Sequence, residues 1–149
     1  MSLKKVSNLL RKIDLVKIAE KSIIEYSPEM IDINTDQQLY QEGISSTGRS
    51  LLSYTPFTQR IKKYKGQPSD RTTLRDTGDF HDSFKLDSNK FPFGITANDP
   101  KTSMLTAKYG EDIFGLTKEN EEDHIENYIE PDILDQAEKQ VEEAFKVFQ

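Results

Sequence analysis

The chain has 149 residues, 34% hydrophobic and 31% charged, with a net charge of −6 and neither Cys nor Trp. That length suits one domain with a modest core, and the missing cysteine excludes a disulfide framework and thiolate metal sites. No apolar run approaches the roughly 18 residues of a membrane span, and no signal-like stretch opens the sequence, so synthesis and action in a cytoplasm are expected.

Val6, Leu9, Leu10, Ile13, Val16 and Ala19 recur at helical spacing. They predict an amphipathic helix over about residues 4–26, with Asp14 as the place for a break and Ser27-Pro28 as its end. This is a helical N-terminal arm of about residues 1–30. A linker over residues 31–34 is expected next. Thr35 or Asp36 then caps a helical piece over 37–42, closed by Gly43. After the polar loop 45–48, Thr55 reads as an N-cap before Pro56 at the first helical position. The short helix 56–64 that follows is ended by Gly66, and 67–72 reads as an exposed loop.

Thr77-Gly78-Asp79 punctuates the chain, because Gly accepts positive φ and Asp side chains bond back to the backbone. Two strands are expected after it, about 80–86 and 91–97, the first with His81 and Asp82 at polar positions. Asp87-Ser88-Asn89-Lys90 supplies the turn of an antiparallel hairpin spanning about 80–97. Pro92 belongs at an edge or a strand start. A helical turn over 102–108 ends at Tyr109-Gly110. Thr117 caps an acidic C-terminal helix, about 117–149, with Glu119, Glu121 and Glu122 near the positive end of its dipole. Pro131 kinks this helix or restarts it, and Leu134, Ala137, Val141, Ala144, Phe145 and Phe148 make an apolar stripe. The expected fold class is α+β, a single domain over 1–149 in which a small antiparallel sheet packs with N-terminal and C-terminal helices.

Charge is segregated along the chain. Segment 49–75 holds Arg49, Arg60, Lys62, Lys63, Lys65, Arg71 and Arg75 against Asp70 alone, whereas 111–143 holds thirteen acids against Lys118 and Lys139. Opposite segments in one small chain suit head-to-tail association of copies, although solvated helix faces produce the same pattern. Candidate contacts are Arg60, Lys62, Lys63, Lys65 and Arg71 on one side and Glu119, Glu121, Glu122 and Asp123 on the other. Reversing charge at Lys62 and Lys63 is expected to weaken assembly and leave the subunit folded.

Leu74-Arg75-Asp76-Thr77-Gly78, followed by Ser83-Phe84, resembles a signature of the tailed-phage virion-morphogenesis or tail-completion family of the phage neck and tail. Four further pieces are similar to that family's pattern in the same order. Leu39-Tyr40-Gln41-Glu42-Gly43 with Thr47-Gly48-Arg49-Ser50-Leu51 looks like its helix end and glycine-bounded loop. Tyr54-Thr55-Pro56-Phe57-Thr58 with Lys62-Lys63 looks like its aromatic-Ser-Pro-x-Thr segment. Tyr109-Gly110 and Ile113-Phe114-Gly115-Leu116-Thr117 look like its late elements. Asp79, Phe80 and the acidic tail depart from the simplest pattern, which leaves the station along neck or tail open. The resemblance implies a non-catalytic structural subunit without a cofactor, made in a bacterial cytoplasm and carried in the virion. Its partners would be copies of itself in a ring and adjacent neck or tail proteins, joining head to tail or capping the tail tube.

Other chemistry is weaker. Asp76-Thr77-Gly78 is also the triplet of aspartic proteases, but a basic segment and Asp79 flank it where an apolar strand belongs. A hydrolase using Asp76 is the remote alternative, and a non-virion adaptor that binds a partner through its helical arms is the nearer one. Asp32, Asn34 and Asp36 begin like a calcium loop, but Gln37 stands where Gly is needed and Gly43 where a bidentate Glu belongs; a helix-capping cluster is expected, and no metal. His124 is expected on a solvated acidic helix start. Lys62, Lys63, Lys65 and Arg71 around Tyr64 can touch passing DNA electrostatically, but the acidic chain opposes specific binding.

Overall fold

The computed structural model describes residues 2–89 and 91–146. The expected α+β class holds: eight α-helices accompany a two-stranded antiparallel sheet among these residues. The chain groups into two compact units, residues 27–122 and residues 1–26 with 123–149.

In the 27–122 unit, α3 (Ser27–Asp32) runs into a π-helical segment, Ile33–Glu42, closed by Gly43 in the left-handed region at φ 66°. The expected linker over 31–34 is thus helical. Thr35 does not cap, since its Oγ1 donates back to the Ile31 carbonyl at 2.9 Å. Helix α4 (Pro56–Tyr64) has the expected Thr55 cap, whose Oγ1 accepts the Thr58 N–H at 3.3 Å, and Gly66 follows at φ 68°. The expected strand at residues 80–82 is instead α5 (Asp79–Asp82). Gly78 turns the chain at φ 97° and the Thr77 Oγ1 accepts the Asp79 N–H, so a helical turn starts there. That turn puts Phe80 and Phe84 four residues apart on the core side, their rings 5.1 Å apart and edge-on.

Strand β1 (Phe84–Asp87) pairs with β2 (Gly94–Ala97), Phe84 opposite Ala97 and Asp87 opposite Gly94. Each strand starts three or four residues later than expected, while the hairpin ends at Ala97 as expected. Pro92, after a cis peptide bond, lies before β2 because it has no N–H for the ladder. The Asp87 side chain accepts the Asn89 N–H at 3.2 Å, as a turn requires; Lys90, the last expected turn residue, lies outside the described residues. Helix α6 (Thr102–Tyr109) ends at Gly110. Helix α7 (Lys118–His124) begins after Thr117, whose hydroxyl accepts the Asn120 N–H. The core is Leu39, Leu74, Phe80, Phe84 and Ile113, with Leu51, Ile95, Leu105, Tyr109 and Phe114 against it. Each buried Phe or Leu contributes about 1.5–3 kcal/mol.

In the other unit, α1 (Leu3–Leu10) and α2 (Leu15–Glu25) are separated at Asp14, whose Oδ1 accepts the N–H groups of Val16 and Lys17. The break resets the helical phase, so Leu10 and Val16 are exposed while Ile18 and Ser22 are buried. A second π-helical segment, Ile125–Ile129, precedes α8 (Glu130–Lys146), which packs on α2. Pro131 sits at the second position of α8, which runs on from the π-helical segment without a break, so the restart expected there does not occur and the missing N–H falls where the helical hydrogen-bond pattern changes. Within the expected apolar stripe, Ala137, Val141, Ala144 and Phe145 are half-buried but Leu134 points to solvent. Phe148 lies outside the described residues.

Candidate functional site

The 74–84 segment is tied down by several hydrogen bonds. Leu74 is buried with φ at 55°, a left-handed conformation that non-glycine residues rarely hold. Its neighbours fix it: the Tyr54 hydroxyl accepts the Thr73 N–H at 3.0 Å, and the Thr73 hydroxyl accepts the Arg75 N–H at 3.3 Å. The His81 ring donates from Nε2 to the Thr73 carbonyl at 2.9 Å. His81 is buried, not on an exposed strand face as expected, and burial pushes its pKa down, aided by the nearby Arg75 charge. Ser83 donates its hydroxyl to the Phe80 carbonyl at 2.7 Å.

The candidate contact cations divide sharply. Lys62 is only 7% exposed, donates from Nζ to the Arg75 carbonyl at 2.6 Å and lies over the Tyr54 ring. Arg71 donates to the Tyr40 carbonyl and pairs with Asp70. Lys65 pairs with Asp76 at 2.8 Å. These three hold the subunit together, leaving Arg60 and Lys63 exposed without an ion pair among the described residues. The expectation that Lys62 can be reversed without harm is therefore corrected: its ammonium is an internal hydrogen-bond donor. Glu119, Glu121 and Glu122 are exposed on α7, as is Asp123. Asp112 reaches Arg49 at 3.6 Å.

The Lys65 ammonium holds the Asp76 carboxyl below its ordinary range. A carboxylate kept ionised by a lysine is the reverse of a shared-proton pair, in which one pKa must rise. The cleft beside it, about 180 Å³, is lined by Tyr54, Lys62, Arg75, Phe80 and Lys101 among others. It falls short of the roughly 300 Å³ at which small-molecule sites begin.

Gln38, which the sequence did not single out, and Asn34, which it read only as part of a calcium-like spacing, are fully buried. Asn34 donates to the Ile113 carbonyl at 3.0 Å and accepts the Gly115 N–H at 2.8 Å. Gln38 donates to the Gly115 carbonyl and accepts from Thr117 N–H and Asn120 Nδ2, each at 2.9 Å. The calcium-like spacing is thus neither a metal loop nor a capping cluster, since Asn34 serves the 113–117 backbone. Their spacing of four residues beside Leu39 was the available signal. His124 is likewise buried and donates to the Tyr26 carbonyl at 3.1 Å, so the solvated position expected for it is corrected. Among the described residues, no group of three or more His, Asp or Glu converges for a metal ion.

Comparison with protein-family models, curated proteins and solved structures finds no match to this chain.

Proposed function

We propose that this chain is a structural subunit of a tailed-phage virion, a neck or tail-completion protein that works as a ring of its own copies. In that role it joins head to tail or caps the tail tube, with adjacent neck and tail proteins as further partners. The observation that carries the reading is the convergence of the segments that resemble that family. Leu39, Leu51, Leu74, Phe80, Phe84, Tyr109, Ile113 and Phe114 come from separated pieces of sequence and meet in one hydrophobic cluster. Pieces that serve one core are a scaffold, and the segregated charge of segments 49–75 and 111–143 suits contact between copies of that scaffold.

The direct test is mass spectrometry of phage particles purified from the source strain, with electron microscopy of the purified protein. Peptides of this chain in particles, at a constant ratio to other tail proteins, are expected together with ring-shaped assemblies. Absence from purified particles would sink the virion role and favour an intracellular adaptor.

A further inference from the structure

Helix α4 is built inside out. An amphipathic helix ordinarily turns its apolar face to the core. Here the inward side carries half-buried Thr58 and Gln59 and buried Lys62, whose side chains bond to the Thr55 hydroxyl at 3.0 Å, to the Tyr54 carbonyl at 3.2 Å and to the Arg75 carbonyl at 2.6 Å. The outward side carries Phe57, Ile61 and Tyr64, which are 71%, 39% and 94% exposed. Spacings of four and three residues align them in one stripe. Single exposed apolar residues need no explanation, but a three-residue stripe opposite an inward polar face does. Arg60 and Lys63 stand beside it, exposed. The stripe therefore suits an apolar ridge edged with acids.

On α8 this chain offers a single exposed leucine edged with acids. On α8, Leu134 is 64% exposed, and Glu130 and Glu138, one turn before and one turn after it, are exposed without an ion pair among the described residues. Positions 130–138 extend about 12 Å along a helix and positions 57–64 about 10 Å, so the two faces match in length. We propose that the α4 stripe of one copy docks on the Glu130, Leu134, Glu138 face of α8 in a second copy. Leu134 seats against Phe57 and Ile61, and the two glutamates meet Arg60 and Lys63. The contact joins different patches, so it propagates from copy to copy and closes only as a ring. It rests on reading the chain as a self-assembling subunit, not on which particle it belongs to.

A charge-swap series followed by sedimentation velocity, over a range of concentration and salt, tests this contact. The natural sequence should associate in a concentration-dependent way, more weakly at about 0.5 M salt, where surface charges are screened within a few ångströms. Arg60→Glu with Lys63→Glu should weaken association at least tenfold, and so should Glu130→Lys with Glu138→Lys. Circular dichroism and thermal melting check that each variant stays folded, and Phe57→Ser, which changes no charge, should weaken association alike. Mixing the two charge variants should restore assembly, because each supplies the face the other lacks. Undiminished association of all variants, or no recovery on mixing, would overturn the contact and leave ring formation standing by another face. A natural sequence that is monomeric throughout overturns it too, whereas the virion role fails separately, by absence from purified particles.

Discussion

Asn34 accepts the N–H of Gly115 at 2.8 Å, tying a helical side chain to a backbone amide 81 residues further along the chain. The same amide donates to the Ile113 carbonyl, so both of its ends are committed to one short stretch of backbone. Replacement by Ala leaves an N–H and a carbonyl unsatisfied in a buried place, at about 1–3 kcal/mol for each such group. Asn34→Ala is expected to lower stability by about 3 kcal/mol, read from the midpoint of urea unfolding. Gln38→Ala removes bonds to the same stretch, so the double variant should cost less than the sum of the two. Additive losses would show that the two amides act independently.

Lys62 and Lys63 are adjacent in sequence and opposite in consequence. Lys62→Glu puts a carboxylate against the Arg75 carbonyl in a buried position, removing a donor and adding an unpaired charge. A loss of about 3–5 kcal/mol is expected. Lys63→Glu changes an exposed side chain and should stay within about 0.5 kcal/mol. Equal stability of the two variants would mean that the Lys62 bond contributes little to the fold.

How much of this was legible in sequence depended on how local the determinant was. The Thr55–Pro56 start, the Thr117 cap, the Asp14 break and the glycine stops at 43, 66 and 110 were readable, because each is settled by a few adjacent residues. The strand expected at 80–82 failed because Phe80, His81 and Phe84 answer to the core, where a helical turn brings the two Phe rings together. Lys62 was hidden for a related reason. A lysine within a basic run reads as solvated, and only the fold brings the Arg75 carbonyl and the Tyr54 ring to it. Leu134 matched the apolar stripe of α8 but lies at the margin of its half-buried face, which only the packing of that helix on α2 decides.

His81 gives the fold a dependence on pH. Burial pushes its pKa below the ordinary 6.5, with Arg75 lowering it further and the Thr73 carbonyl bond, Asp82 and Asp36 opposing. In the unfolded chain the ring takes up a proton as pH falls past that ordinary value, while the folded protein resists doing so. Stability should therefore be full above pH 6.5 and decline as pH falls toward the depressed folded value. His81→Gln keeps an N–H for the Thr73 carbonyl but does not titrate, so its stability should stay flatter across this window. Urea unfolding at several pH values from neutral to mildly acidic checks this, and identical slopes for the two proteins would count against it.

Gly43 and Gly48 separate backbone strain from crowding. Both have positive φ, 66° and 78°, so an L side chain at either costs about 1–2 kcal/mol through conformation alone. A Cβ at Gly48 meets nothing within 4 Å, whereas one at Gly43 lies 3.0 Å from the Arg71 Cβ and 3.1 Å from the Thr72 carbonyl oxygen. The crowded atoms belong to a segment held in place by the Arg71 bond to the Tyr40 carbonyl, and the Gly43 carbonyl itself accepts the Leu51 N–H. Relief by a small shift would stretch those bonds. Gly48→Ala should therefore cost about 1 kcal/mol and Gly43→Ala about 2–4 kcal/mol. The difference in unfolding midpoint measures how rigidly 71–72 is held; equal costs would mean that this segment yields freely.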